Sequence, residues 1–70
     1  MEDREKLQHL LGHWIEHNDE HGREFREWAD KARDFGEAEV RDDILRAVEQ
    51  LKNASESLVR ASDRLAANNS

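Results

Sequence analysis

The chain has no cysteine and no proline, and its only glycines among 70 residues are at 12, 22 and 36. Without cysteine there is neither a disulfide framework nor a thiolate metal site. With no proline and so few glycines, few points can interrupt a helix, and Gly36 is the natural turn. Long apolar runs are missing too. The start, Met1-Glu2-Asp3-Arg4-Glu5-Lys6, is charged from its first residues and leads into no signal-peptide or membrane-spanning segment, so a cytoplasmic protein without a membrane partner is expected. A net charge of -6 repels phosphates and anionic lipid, which removes nucleic acid from the expected partners. No nucleophile triad, glycine-rich phosphate loop or zinc-ribbon spacing occurs, and an enzyme is not expected.

What is present is charge and periodicity. Charged residues make up 40% of the chain and hydrophobic residues 36%, a balance that folds only if the apolar positions repeat strictly. From about residue 3 to 34, Leu7, Leu11, Trp14, Phe25, Trp28, Ala32 and Phe35 recur at alternating steps of three and four, with Asn18 and His21 completing the row. This predicts one long amphipathic helix with two polar residues in its seam. From about 37 to 67, Ile44, Leu51, Leu58 and Leu65 hold one heptad position, and Val40, Ala47, Ala54 and Ala61 the other. The leucine and alanine seam suits close packing of antiparallel helices.

Asp34-Phe35-Gly36 reads as a glycine-capped helix end and short connection, so residues 1–70 form a single domain, an all-α, coiled-coil-like antiparallel hairpin with its turn at 34–36. A chain this short needs help from a partner or a metal. Two helices leave Trp14, Phe25, Trp28 and Phe35 largely wet, and a twofold homodimer forming a four-helix bundle would cover them. Residues Ala66 to Ser70 are expected to fray. Gly12 and Gly22 each cost a helix roughly 1 kcal/mol relative to alanine and bracket the segment of greatest chemical interest.

That segment carries histidines at 9, 13, 17 and 21. Residues four apart share a helix face, so neighbouring imidazoles can be offered to one ion. Each step advances roughly 40° around the helix, so the four form a slanted stair. With Trp14 at the centre of the seam, His21 lies within it, His17 at its edge, His13 just outside and His9 towards solvent. His21 reads as a packed polar core residue beside a register-setting Asn18, and His9 as a surface residue or at most an auxiliary ligand. His13 and His17 border the buried surface. Across a dimer axis, two imidazoles from each chain would complete a four-nitrogen site, which suits tetrahedral zinc or planar nickel or copper. Glu16, Asn18 and Glu20 are candidates to orient the free ring nitrogens. Trp14 and Trp28 read as interface anchors, and Trp14 would also shield the ion from water.

Two other metal motifs do not hold. His17-Asn18-Asp19-Glu20-His21 has the H-x-x-E-H spacing of inverted zinc peptidases, but those need a further carboxylate ligand and a substrate cleft that a 70-residue hairpin cannot provide. The amino-terminal copper and nickel chelate needs a histidine at position 3, which is Asp3.

The segment Leu11-Gly12-His13-Trp14-Ile15-Glu16-His17-Asn18, followed by Trp28-Ala29 and a leucine and alanine coiled coil, resembles the CooJ family of nickel accessory proteins, whose hallmark is H-W-x-x-H. The resemblance implies a homodimer that binds Ni(II) at its interface for insertion into carbon monoxide dehydrogenase, with that enzyme or its maturation factors as partners. It implies His13 and His17 of each chain as ligands, and imidazole donors make Cu(II), Co(II) and Zn(II) expected competitors. Better-known members carry a histidine-rich C-terminal tail, whereas this sequence ends at Asn68-Asn69-Ser70, implying a short form with one defined site for carriage or sensing. A non-metal coiled-coil scaffold or adaptor is the alternative expectation, and a zinc-stabilised structural module is a third.

Overall fold

The computed structural model describes residues 2–68, and they form an antiparallel hairpin of two helices, α1 (Asp3–Asp34) and α2 (Ala38–Ala67). The expected all-α hairpin and both helix spans are met, with Glu37 serving as the N-cap of α2. Asp3 and Glu5 occupy the first turn of α1, and Lys31 and Arg33 the last, each charge opposing the helix dipole.

The turn closes as the glycine predicted. Gly36 has φ +94°, a left-handed conformation that side chains resist. Its N–H donates to the Arg33 carbonyl at 3.0 Å, and the Glu37 N–H donates to the Ala32 carbonyl at 2.8 Å. These two bonds are the paired 5→2 and 6→1 bonds of a Schellman motif, and they satisfy carbonyls that the end of α1 would leave bare. Glu37 thereby ends one helix and starts the next. Of the predicted C-terminal fraying, the helix continues through Ala67, and Asn69 and Ser70 lie outside the described residues.

The seam differs from the expected one by a rotation of each helix. Leu11, Asn18, Phe25 and Ala32 point inward as predicted, but their companions are Gln8, Ile15, Gly22 and Ala29, each one position beyond Leu7, Trp14, His21 and Trp28. On α2 the leucine row is half-buried as expected, but it is joined by Arg41, Val48, Ser55 and Ser62, while Val40, Ala54 and Ala61 are exposed. The reason is size. Gly22, Ala29 and Ala32 are buried and let the helices approach, whereas an indole between two helices would hold them apart and still leave much of itself wet.

The resulting core is small. Leu11, Ala29, Ala32 and Val48 are the buried apolar residues, and the molecule measures 53 × 18 × 12 Å, little thicker than one helix with its side chains. Near the open end, Gln8 Nε2 donates to Ser62 Oγ at 2.6 Å, fixing which levels of the two helices lie side by side. The ion pairs, such as Arg46 with Asp43 at 2.6 Å, are local, and their side chains are about one-third exposed or more, so they contribute little to stability. Among the described residues, no helix is long and apolar enough to cross a membrane.

Candidate metal centre

Because α1 runs unbroken through residues 9–21, the histidines are held on a rigid stair. The rings of His13 and His17 lie 4.3 Å apart between centroids, tilted by 52°. His17 and His21 follow at 5.7 Å in an edge-on arrangement, and His21 leads to Phe25 at 6.1 Å. All four histidines are exposed. The placement of His21 in the seam is therefore corrected: Gly22 takes that inward position, and His21 stands on the outer flank as the next imidazole after His17. Its spacing of four from His17 was the signal, and assigning it to the core concealed it.

The observed inward face also revises the surroundings of His13 and His17. With about 100° per residue, His13 lies nearly opposite the α1–α2 seam, and His17 lies beyond Trp14 as one moves away from it. Neither borders the hairpin's own core. What they border is a second apolar strip on α1, where Leu7 and Trp14 are 42% exposed, Trp28 54% and Phe35 67%. Val40 and Ala47 of α2 lie on the same side, since with Phe25, Trp28 and Ile44 they line a shallow groove of about 510 Å³. Lys31 Nζ sits 4.2 Å from the Trp28 ring centroid, a cation–π contact at the edge of this face. Asn18 is half-buried on the side facing α2 and so is turned away from the imidazoles that it was a candidate to orient.

Among the described residues, no group of three or more histidine, aspartate or glutamate side chains is arranged to hold one ion. Helix geometry explains why. His13 and His21 are eight residues apart, a rise of about 12 Å, which is too far for both to reach one metal at about 2.0 Å. A single chain thus offers a pair, and the 4.3 Å pair of His13 and His17 is the closer.

A family model described as a domain of unknown function, DUF8180, matches residues 7–65, nearly the whole of both helices. The chain belongs to the DUF8180 family. An uncharacterized protein of Archaeoglobus fulgidus is 39% identical over 59 residues, covering 84% of this chain and 94% of that one. No solved structure matches the chain. The matched segment contains His9, His13, His17 and His21 together with both tryptophans, so the histidine stair lies within the DUF8180 domain and not in an appendage to it.

Proposed function

We propose that this protein is a homodimeric nickel carrier, in which His13 and His17 of two chains hold one Ni(II) ion at the subunit interface and supply it for carbon monoxide dehydrogenase maturation. The observation that carries the reading is the 4.3 Å pairing of two exposed imidazoles on a rigid helix, with Trp14 between them in sequence. Neutral imidazole suits nickel, copper and zinc, and the ion here is cargo, so open, accessible ligands serve it better than a closed cage. Two imidazoles per chain are half of a four-nitrogen site, which ties binding to a second chain. Cu(II), Co(II) and Zn(II) would compete for the same donors. The partners under this reading are a second copy and the nickel enzyme or its maturation factors, in the cytoplasm.

Titration of the purified protein with nickel tests it. One ion per two chains is expected, lost in the His13→Ala, His17→Ala variant and retained in His9→Ala. Absence of saturable binding at micromolar nickel would sink the reading. The exposed Trp14, Trp28 and Phe35 favour a second reading, a coiled-coil adaptor whose apolar strip docks a partner without metal. Under that reading nickel leaves the assembly unchanged, and the histidines can be replaced without loss of association.

A further inference from the structure

The hairpin exposes 5505 Å². A compact monomer of its 8.2 kDa mass would expose about 4,500 Å². The excess of about 1,000 Å² is close to the roughly 800 Å² that each partner contributes to a stable protein interface. Leu7, Leu10, Trp14, Trp28, Phe35 and Val40 are exposed on one side of the hairpin, with Leu45 and Val59 on the other, and the spacing of the larger group says what covers it.

We infer that a second copy of this chain docks on that side with α1 against the partner's α1 and α2 against the partner's α2, both antiparallel, about a twofold axis at the level of residues 17 and 18. The strip Leu7, Trp14, His21, Trp28 is symmetric about 17.5, so antiparallel pairing sets Leu7 opposite the partner's Trp28 and Trp14 opposite the partner's His21. The adjoining row Asp3, Leu10, His17, Glu24, Lys31 is symmetric about residue 17, half a residue or about 0.75 Å away. It sets Asp3 opposite the partner's Lys31 and brings His17 opposite the partner's His17. Asp3 and Lys31 have no ion pair within the chain among the described residues, and they are opposite in sign.

The second helix agrees independently. The 2.6 Å bond from Gln8 to Ser62 places residue 17.5 of α1 level with about residue 52.5 of α2. The apolar set of α2, running from Val40 to Leu65, is symmetric about that same 52.5. Pairing there sets Ala47 opposite the partner's Leu58, Ala54 opposite the partner's Leu51 and Ala61 opposite the partner's Ile44. Small meets large at these three steps, the alternation that interdigitated packing needs, and Val40 meets the partner's Leu65 at the ends.

This arrangement takes up the homodimer of the proposed nickel site and gives it a face and a register. The stair of His13, His17 and His21 is symmetric about 17, so the axis sets His13 level with the partner's His21 and assembles six imidazoles along one groove edge. The two His13 residues are then about 12 Å apart along the helices, so in this register one ion would be reached by His13 and His17 of one chain with the partner's His17 and the partner's His21, in place of a second His13.

Since the chain has no cysteine, single thiols report the pairing without background. The His17→Cys and Ala54→Cys variants are each treated with a short thiol crosslinker in chelator, after sedimentation of the wild-type chain under the same metal-free conditions. A wild-type dimer, with both variants crosslinking to their own copies, is the expected result. Ala54→Cys keeps every histidine, so it still reports if His17→Cys disturbs folding. A monomer at micromolar concentration would overturn the inference. So would a dimer in which neither thiol self-links but Trp14→Cys links to Ala54→Cys, because that result puts α1 on the partner's α2 and parts the two histidine stairs. The nickel titration is a separate measurement: crosslinking without nickel binding leaves this interface standing and removes only the metal reading.

Discussion

Alanine at the three glycines should have opposite effects on stability at the seam and at the turn. Gly22 is buried in the α1–α2 seam and has no positive φ, and a Cβ built on it meets nothing within 4 Å. Gly22→Ala therefore keeps its backbone while removing the entropy that glycine loses on folding, a gain of about 0.5–1 kcal/mol. The added methyl also enters a groove lined by Ile15, Val48 and Leu51, adding a fraction of the roughly 0.8 kcal/mol of one buried carbon. Gly12→Ala, on the exposed surface with open space around its Cβ, gains about 0.5–1 kcal/mol from the backbone alone. Gly36→Ala must force a side chain to φ +94° and should lose about 1–2 kcal/mol. For a domain of this size 1 kcal/mol moves Tm by about 4–8 °C. Thermal unfolding followed by circular dichroism, at one protein concentration and with chelator, should therefore rank Gly22→Ala at or above Gly12→Ala, both above wild type, and Gly36→Ala below it. Nickel affinity in Gly22→Ala should match wild type, since the imidazoles stand on the other side of α1. A lowered Tm for Gly22→Ala would refute the reasoning, because it would mean that α2 needs the space that glycine leaves.

Leu11, 4% exposed, anchors the seam, and Leu11→Ala should cost about 2–3 kcal/mol, the lower part of the usual range because a thin hairpin can collapse onto the gap; denaturant unfolding measures it. Trp14→Ala should remove the rise of Tm with protein concentration that a dimer shows, and a wild-type Tm independent of concentration would contradict the interface. Nickel affinity should fall as pH drops from about 8 to 5, because a proton and the metal compete for the same imidazole nitrogen; a flat profile would exclude histidine ligation. His21→Ala should weaken nickel binding more than His9→Ala, since the ring of His21 lies 5.7 Å from that of His17, and isothermal titration of the two variants compares them directly.

The elements of the fold were legible because the signals that delimit them are local. Glycine at 36 is the residue that the Schellman turn requires, and no proline or further turn signal interrupts either helix. The rotation of each helix about its axis was not legible, because it is a property of the pair. Leu11, Asn18, Phe25 and Ala32 can be joined by the row one position before, with its tryptophans, or by the row one position after, with Gly22 and Ala29; both choices keep the same period. Hydrophobicity favours the first and steric fit the second. In a two-helix structure fit prevails, because there is no third element to fill the space that an indole would open.

That outcome bears directly on the histidines. Had Trp14 and His21 turned inward, the stair would have been split, with one imidazole in the core and two at its border. With Gly22 inward, His13, His17 and His21 stand together on an exposed flank beside an apolar strip that this chain alone leaves uncovered. The choice that sets the face of α1, Gly22 and Ala29 inside with Trp14 and Trp28 outside, thus also leaves the candidate ligand row beside an exposed apolar strip. A polar row beside an apolar strip is how a helix presents both an adhesive surface and a chemical function to one partner, and a twofold copy engages both at once. On this account the tryptophans supply association and the histidines respond to it. Removing Trp14 should therefore weaken nickel binding although the indole offers no ligand, while removing His13 should leave apo association intact.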